Sequence, residues 1–385
     1  MRSKSAFLTL LIFLVSTLAY VACCRQKLEW KGTITEKDGV VIVKNPKEPL
    51  YENAEFNIVQ DLKIGQPSGK PEDMLSEIRE IEVDANGNIY AVEFKENHIR
   101  VFDRNGLYLR TIGRPGQGPG EFGEPGNVHV NPAGEVMATD GGSQSVKVFS
   151  PDGTYLRQYF LKAFYPVKMD YSREGDLLYV MTFSMEPPGF QLFRLDSRTG
   201  ESLSLATWPM PLPDPKRASI FDPIMSFAVM PDDRLLYGCP TEGYEIQIFS
   251  PQGRLEKKIF KDWDPQPVMA QEKEAILSEM KKRSPSNQPP LDFPKFNPPY
   301  RVVKSDDLGR IIVHVYSEYA AEPSQKTETL FDVFDNEGRY IARFHHPFKT
   351  LIEKPMLWKG GKFYTIEQDE DGYLYIVRYA VEFKF

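Results

Sequence analysis

The sequence predicts an all-β protein, a β-propeller of six four-stranded blades that carries one helical insertion. Three observations support this: two hairpin patterns alternate along the chain, the turn glycines of one pattern recur, and the composition suits short strands. The 385 residues include 31 Pro, 27 Gly, 25 Phe and 19 Tyr. This mixture of turn formers and aromatic residues is typical of many short strands joined by turns.

The first hairpin pattern is a ten-residue segment with a central turn. It reads VFDRNGLYLR at 101–110, and it returns at 148–157, 248–257 and 333–342, with a degenerate copy at 193–202. Each copy places β-forming residues on both sides of a turn, which indicates a hairpin. The turn glycines are Gly106, Gly153, Gly200, Gly253 and Gly338, and the longest interval, before Gly338, contains an insertion.

A second hairpin pattern precedes each copy of the first. It reads IEVDANGNIYAVE at 81–93. Further copies occupy 128–140, 167–181, 227–239, 303–315 and 356–368. Two hairpins make one four-stranded unit, so six copies predict six blades. Seven blades is the main alternative, but no seventh copy is visible in the sequence.

The chain ends are expected to close the ring together. After Gln368 one strand remains, and FNIVQDLKIG at 56–65 has the apolar character of a fourth strand. Pairing these two strands in one blade would leave no exposed sheet edge. The sequence therefore predicts a propeller over 55–385, with 23–54 as an N-terminal leader that includes the strand-like run GVVIVKN.

Residues 1–22 have the pattern of a secretory signal peptide. Arg2 and Lys4 precede an apolar run from Ala6 to Leu18, which is shorter than the ~20 residues that a membrane-spanning helix needs. We therefore expect the chain to be secreted across the inner membrane.

The end of this segment resembles the lipobox of bacterial lipoproteins, in which small residues precede a lipidated cysteine. Here the residues are Tyr20-Val21-Ala22-Cys23, with Tyr20 where the family usually has Leu. The resemblance implies a lipid on Cys23, with Cys24 as a competing acceptor; a plain secretory signal is the alternative. The residue after Cys23 is not Asp, which by analogy favours an anchor in the outer membrane and leaves its side open.

The repeats themselves resemble a known family. DANGNIYAVEFKENHIRVFDRNG at 84–106 looks like an NHL repeat, and GRPGQGPGEFGEPGNVHV at 113–130 resembles the NHL inter-blade linker. The whole chain resembles the six-bladed, NHL-like propeller lipoproteins of bacteria, most of which have no assigned activity. The resemblance implies a cell-envelope protein.

Charge and cysteine content exclude some classes of protein. The formal net charge is −7, whereas a nucleic-acid binder needs a basic surface for the phosphates. There are three cysteines, two of them adjacent at 23–24, which excludes a disulfide framework. The chain also lacks HExxH, CxxC, GxSxG and P-loop motifs.

Long connections are predicted on one face of the ring. If the strands of a blade are called A to D from the axis outwards, the A–B and C–D turns share one face, and these turns are short. The long connections are all B–C or D–A connections, at 113–126, 184–190, 207–223, 261–300 and 317–329. Long loops are commonly functional, so this loop-rich face is the predicted binding face.

The longest connection is predicted to contain a helix at 268–283. Its sequence is rich in helix formers, and Met269, Ile276, Leu277 and Met280 supply an apolar stripe. We expect the helix to cap the loop-rich face, either as a substrate lid or partner groove, or simply as a plug packed on the ring.

A ring of polar side chains is predicted near the axis. Two residues before the Asp of IEVD and its equivalents, the sequence has polar residues in four of six copies. These residues are Glu82, His129, Lys168 and Lys304, and the other two copies have Ala228 and Met356. Opposed carboxylate, imidazole and ammonium groups suit an anionic or polar ligand, and a water-filled channel is the alternative.

Three further side chains are candidates for the loop-rich face. Glu93 and Asp140 end B strands, where NHL repeats commonly carry an acid that organises the next loop, and His98 lies at a B–C junction. A three-histidine zinc site would need His98, His129 and His314 to converge, and their spacing does not indicate this.

Two functions from different classes follow. The first is a non-catalytic binding module that presents the loop-rich face to a protein, peptide or glycan ligand at the membrane. The alternative is a metal-assisted lyase or lactonase at the axis, which would use a divalent metal such as Ca²⁺ or Zn²⁺ as cofactor.

Overall fold

The protein is described by a computed structural model that covers most of the chain. The described residues are 28–384 apart from 162–165, 174, 176, 187, 197–198, 210–217, 220–225, 239, 241–242, 284–290, 316–328 and 347–354. The signal segment, Cys23, Cys24, Cys239 and residues 317–328 of the predicted connection 317–329 lie outside them.

The predicted propeller is confirmed, and its strands follow the repeat. The N-terminal strands are β1 (Thr33–Lys37), β2 (Val40–Asn45) and β3 (Glu55–Ile64). Blade 1 contains β4 (Ile78–Val83), β5 (Ile89–Glu93), β6 (His98–Phe102) and β7 (Tyr108–Ile112). Blade 2 contains β8 (Pro125–Val130), β9 (Val136–Asp140), β10 (Ser145–Phe149) and β11 (Tyr155–Phe160). Blade 3 contains β12 (Pro166–Tyr171), β13 (Leu177–Met185), β14 (Pro188–Asp196) and β15 (Ser202–Pro209).

The second half of the ring adds the helical insertion. A short strand β16 (Ala218–Ser219) precedes blade 4, which contains β17 (Ser226–Val229), β18 (Leu235–Gly238), β19 (Glu245–Phe249) and β20 (Leu255–Lys261). The helix α1 (Ala270–Arg283) and strand β21 (Leu291–Asp292) lead to blade 5, with β22 (Tyr300–Ser305), β23 (Ile311–Val315), β24 (Thr329–Phe334) and β25 (Tyr340–His346). Blade 6 contains β26 (Met356–Lys359), β27 (Lys362–Gln368) and β28 (Leu374–Lys384), and one short 3₁₀ helix spans Pro71–Asp73.

The six sheets form a closed ring. Their innermost strands contact one another in the order β4, β8, β12, β17, β22, β26 and back to β4. Blade 6 is completed by β3, which pairs antiparallel with β28 from Ile64–Ile376 to Glu55–Lys384. The predicted closure by both chain ends is therefore confirmed.

The leader contributes strands to the ring. Hairpin β1–β2 lies on the outer edge of blade 4, where β2 pairs parallel with β20, so that this sheet has six strands. The following residues bind the next blade, because Leu50 N–H donates to Tyr340 O (3.0 Å) and Tyr51 N–H to Ile341 O (2.9 Å). The sequence predicts 23–54 only as a leader, whereas the structure packs its apolar strand on the rim of blades 4 and 5.

Asn45, at the end of β2, joins the leader to blades 4 and 5. Its Nδ2 donates to Phe260 O (3.1 Å) and Gly338 O (3.0 Å), and its Oδ1 accepts from Tyr340 N–H (2.6 Å) and Trp30 Nε1 (3.1 Å). The buried amide thus uses its donor and acceptor capacity across three segments.

Alternating apolar residues build the core between blades. On β5, Tyr90 and Val92 pack toward blade 2, and Ile89 and Ala91 pack toward blade 6. This two-residue period is that of a strand buried on both faces. It makes each blade depend on both neighbours.

The recurring turn residues have a local role. Asp103 Oδ1 accepts the N–H groups of Asn105 and Leu107 at 2.8 and 2.9 Å, and Gly106 takes φ of +85°. An acid that binds the turn backbone and a glycine in the left-handed region together explain this repeat motif.

The connections differ in part from the predicted ones. Segment 184–190 is an extended hairpin, because β13 and β14 continue until Met185 pairs with Pro188. The helix begins at Ala270 rather than at 268. Ile276 is buried, but Met269 and Leu277 are 52% and 44% exposed, so the predicted stripe is not a single inward face; the side chain of Met280 lies outside the described part. No helix of the described residues is long and apolar enough to cross a membrane.

Candidate functional site

The axis is lined by equivalent positions of the six innermost strands. Counted from the A–B turn, one position of each innermost strand forms a level around the axis. The level nearer the A–B turns is called the outer level, and it contains Glu82, His129, Asp170, Ala228, Lys304 and Leu357. An inner level, two residues earlier and nearer the loop-rich face, contains Glu80, Asn127, Lys168, Ser226, Val302 and Pro355. Polar groups at these positions come mainly from blades 1, 2, 3 and 5.

Two of the predicted ring positions are corrected by this register. In blade 3 the turn begins at Ser172, whose carbonyl accepts the N–H of Gly175 (2.8 Å), so Asp170, not Lys168, is equivalent to Glu82. Lys168 lies about 7 Å closer to the loop-rich face, by the rise of two strand residues. In blade 6 the turn is the pair Gly360-Gly361, which puts Leu357 rather than Met356 at that level.

The sequence contains the signal for the correct register. Counting three residues back from the turn glycines Gly87, Gly134 and Gly175 gives Asp84, Asn131 and Ser172, which all open their turns. Alignment on the Asp of VKMD instead shifts blade 3 by two residues. Glu80, Asp170 and Lys359 were missed for this reason or because they lie outside the aligned column.

The three axial acids all have hydrogen-bond partners. Glu80 accepts from Asn127 Nδ2 (3.0 Å) and from Ile81 N–H (3.1 Å). Glu82 is paired with Lys359, which reaches over from blade 6. Asp170 accepts the N–H groups of Val229 and Tyr171, both at 2.9 Å.

The axial lysines Lys168 and Lys304 have no such partners. Within the described part of the chain, neither ammonium makes a hydrogen bond or an ion pair, although both act electrostatically on Glu80. Burial, together with the charge of Lys304, lowers the pKa of Lys168 to about 7, although Asp170 and Glu80 oppose this shift. Burial also raises the pKa of Glu80, while Lys304 and Lys168 oppose that rise.

His129 and Tyr171 bring two further groups without hydrogen-bond partners to the same region. Its ring stacks on Tyr171 with centroids 4.9 Å apart, and both its Nε2 and the Tyr171 hydroxyl are buried without a hydrogen-bond partner among the described residues. Burial, reinforced by Lys359, lowers the pKa of His129 to about 4. The imidazole is therefore neutral at pH 7 and has a free nitrogen.

Glu93 and His98 bind each other in blade 1. Glu93 is fully buried; its Oε2 lies 2.9 Å from His98 Nε2 and 2.8 Å from Arg100 Nε, and its Oε1 accepts Ser76 N–H at 2.8 Å. Arg100 Nη1 donates in turn to Glu72 O and Met74 O. This acid therefore binds the D–A connection at 65–77, through Ser76 and Arg100, rather than the backbone of the next loop.

Asp140 has the same position and role in blade 2. Its Oδ1 accepts from Gly123 and Glu124 N–H (3.1 and 2.8 Å), and Lys147, which is 0% exposed, lies 2.7 Å from its Oδ2. Burial alone would raise the pKa of Asp140, but hydrogen bonds from Lys147 and Ser143 hold it below the usual value. Both predicted loop-face acids are thus occupied by partners within the protein.

The described residues do not form a metal site. No group of three or more His, Cys, Asp or Glu within them is placed to hold a metal ion. His98 is bound to Glu93, His129 stacks on Tyr171 and His314 packs at a tilt against Phe331 in blade 5. Residues of this part of the chain therefore do not fit the divalent cofactor of the alternative function.

Two long connections meet over the loop-rich face. Strand β16, from the connection before blade 4, pairs parallel with β21 of the helical insertion, through Ala218–Leu291 and Ser219–Asp292. The base of the insertion is closed where Val268 N–H donates to Lys295 O (3.2 Å) and Asn297 N–H to Gln266 O (2.8 Å). Buried Glu272 of α1 accepts from Asn297 Nδ2 (3.0 Å), so the helix is joined to this base.

Comparisons with known proteins agree on the fold. A family model described as a six-bladed beta-propeller, DUF5128, matches residues 70–204. A putative exported protein of Bacteroides fragilis aligns over 89% of this chain and 100% of its own, with 11% identity and a TM-score of 0.54. A DUF4221 member from Bacteroides vulgatus aligns over 86% and 99%, with 13% identity and a TM-score of 0.57. No curated protein matches the chain. The chain is thus a six-bladed propeller similar in fold to these bacterial proteins.

Proposed function

We propose that the protein is a lipid-anchored binding module of the bacterial cell envelope, held at the outer membrane through Cys23. Its loop-rich face would bind a protein, peptide or glycan ligand without catalysing a reaction. Support comes from the NHL-like repeats, the lipobox-like segment and the fold similarity to an exported protein.

One observation carries this proposal: the joined connections over the loop-rich face expose apolar side chains. Met269, Leu277 and Phe296 of the insertion are 52%, 44% and 40% exposed, although the insertion is closed at its base and tied to β16. A constrained surface with exposed apolar and aromatic groups suits ligand binding better than a solvated loop does.

The insertion can be removed to test this proposal. Because residues 266–268 and 295–297 pair at its base, replacing 270–292 by a short Gly-Ser linker should leave the ring folded. We expect this variant to retain cooperative unfolding and to lose binding to envelope peptides and glycans that the wild type captures. A ligand that binds both proteins equally would contradict the proposed face.

Lipidation is tested separately. We expect Cys23→Ala to abolish incorporation of labelled palmitate and release the protein from membranes, whereas Cys24→Ala should do neither. Membrane retention of the Cys23→Ala protein would contradict the anchor and leave the binding face untouched.

An axial lyase or lactonase is the second candidate, favoured by one observation. Lys168, with its pKa lowered to about 7, has the proton affinity of a general base at neutral pH. Turnover of a lactone by the purified protein, lost in Lys168→Met, would favour this candidate. Absence of turnover, with no melting shift on added Ca²⁺ or Zn²⁺, would leave the binding function.

A further inference from the structure

At the axis, the acidic side chains have hydrogen-bond partners, whereas, in the described part of the chain, two lysines do not. Each of the three acids accepts from at least one protein donor: Glu80 from Asn127, Glu82 from Lys359, and Asp170 from two backbone N–H groups. The two remaining ammonium groups, on Lys168 and Lys304, have no acceptor among the described residues. The two lysines therefore add hydrogen-bond donors to a region where the carboxylate acceptors already have partners.

The unpaired groups converge from separate blades. Lys168 comes from blade 3 and Lys304 from blade 5, and both act on the carboxylate of Glu80 in blade 1. His129 and Tyr171, from blades 2 and 3, add a ring nitrogen and a hydroxyl that are buried without partners. At the outer level, blade 4 has Ala228 and therefore no long side chain. The ring nitrogen and the hydroxyl are buried, and such groups are costly unless something binds them. Lys168 and Lys304 are only half-buried, so a ligand at the axis can reach them.

We propose that the axis of the propeller is a binding site for a carboxylate, received between the ammonium groups of Lys168 and Lys304. A carboxylate accepts hydrogen bonds from two donors and carries a single negative charge. A doubly charged phosphate would meet the nearby carboxylates of Glu80 and Asp170. His129 and the Tyr171 hydroxyl provide further contacts for the rest of the ligand.

The position of Lys168 sets the direction of entry. It lies at the inner level, near the start of β12, and strand A begins on the loop-rich face. A carboxylate that enters from that face meets Lys168 before Lys304. The site goes beyond the proposed function, because it does not require a partner on the insertion. Free acids, peptide C-termini and uronic acids share this carboxylate chemistry, and the experiment distinguishes them.

Calorimetric titration at constant ionic strength tests the site. The probes are acetate, N-acetylalanine and galacturonate, which represent the three sources, with inorganic phosphate as the competing anion. We expect one carboxylate per chain to bind, and the tightest of the three probes to identify the source. Binding should weaken at least tenfold in Lys168→Met and in Lys304→Met, and remain unchanged in the control Lys37→Met, whose position on β1 is exposed.

Folding of the variants is checked by their denaturation midpoints. Lys168→Met replaces a half-buried ammonium that has no partner among the described residues by an apolar side chain of similar length. We therefore expect equal or higher stability together with lost binding; Lys168→Gln is the second variant. Failure of all three carboxylates to bind the wild type, equal binding by the methionine variants, or tighter binding of phosphate would each overturn the proposal. The variant without the insertion should still bind the carboxylate, which separates this result from failure of the proposed face.

Discussion

The polar side chains inside this protein are of two kinds, those with hydrogen-bond partners and those without. Most are satisfied, as Asn45 is between the leader and blades 4 and 5, or Asp140 beside Lys147. Others are not, and near the axis these include the buried Nε2 of His129 and the half-buried ammonium of Lys168. Satisfied groups stabilise the fold, and the axial groups without partners are the ones that the proposed carboxylate site would use.

Asn45→Ala tests the first kind of group. The change leaves Tyr340 N–H and the carbonyls of Phe260 and Gly338 without their partner. We expect the free energy of unfolding to fall by about 2–4 kcal/mol, since each unsatisfied buried group costs about 1–3 kcal/mol. Urea denaturation measures this, and Asn57→Ala, at an exposed position of β3, should change stability by less than about 0.5 kcal/mol. Equal effects of the two changes would contradict the role of Asn45.

Lys168→Met tests the second kind through the pH dependence of stability. The pKa of Lys168 is about 7 in the folded protein against 10.5 for the ordinary group. Between these values the unfolded chain holds a proton that the folded chain has released, so wild-type stability should rise with pH across this window. The variant should lack this rise. Glu80, Asp170, Lys304, Lys359 and His129 are present in both proteins, so the difference between their urea midpoints from pH 6.5 to 9.5 isolates Lys168; parallel curves would contradict the lowered pKa.

At the level of strands, the C strand carries a charged residue at one repeated position. Arg100 and Lys147 occupy it in blades 1 and 2, each bound to the acid that ends the B strand. In blade 5 the equivalent residue is Asp332, whose side chain is 0% exposed. The sign of the charge is reversed, and its partners come from blade 4 and from β25.

Asp332 is bound on all sides. Its oxygens accept from the hydroxyls of Tyr244 and Tyr340 (2.6 and 2.7 Å) and from Arg343 (2.7 and 3.1 Å), and Lys261 lies 3.5 Å away. Burial would raise the pKa of Asp332, but Lys261 and Arg343 keep it below 3.8. The cluster joins blades 4 and 5.

Asp332→Asn should break this cluster. We expect a loss of about 3–5 kcal/mol at pH 7, because the buried Lys261 loses its counter-charge and Arg343 loses its carboxylate partner. The lowered pKa stabilises the wild type above pH 3.8, and this contribution is lost as the pH falls through the folded value. The difference between the two proteins in free energy of unfolding, measured by urea denaturation, should therefore be smaller at pH 3 than at pH 7. Asp262→Asn, at an exposed position, is the control; a gap that does not change with pH would contradict the assignment.

How far the sequence predicts these elements depends on the range of the interaction. Strands and turns were predictable because their signals are local: an acid, a glycine and a two-residue apolar period, as around Asp103 and Gly106. The axial site was predictable only in part, since a two-residue difference in one turn moves Lys168 to another level. Parallel pairing of β2 with β20 brings together residues more than 200 positions apart, and the leader sequence does not specify its partner.

For the whole molecule, closure of the ring is the decisive feature. Strand β28 pairs with both β27 and β3, so it joins the two ends of the chain. The hairpin β1–β2 instead lies outside an already complete blade. Removing the two elements should therefore have different consequences.

Two truncations compare them. Deletion of 369–385 should abolish cooperative unfolding, because β3 and the core of blade 6 lose their partner. Deletion of 28–45 should leave a folded ring of lower stability, since the parallel strand and Asn45 are lost but closure remains. Thermal unfolding followed by circular dichroism distinguishes these results; a cooperative transition after the C-terminal deletion would contradict the closure.

The central proposal is that the protein binds its ligand through the loop-rich face, and photo-crosslinking in intact envelopes tests it most directly. A benzoylphenylalanine replaces Leu277 on the insertion or, as control, Leu156 on the rim of blade 2; both residues are 44% exposed. We predict a discrete crosslinked product from position 277 and none from position 156. The same product from both positions, or a product from position 156 alone, would contradict the claim.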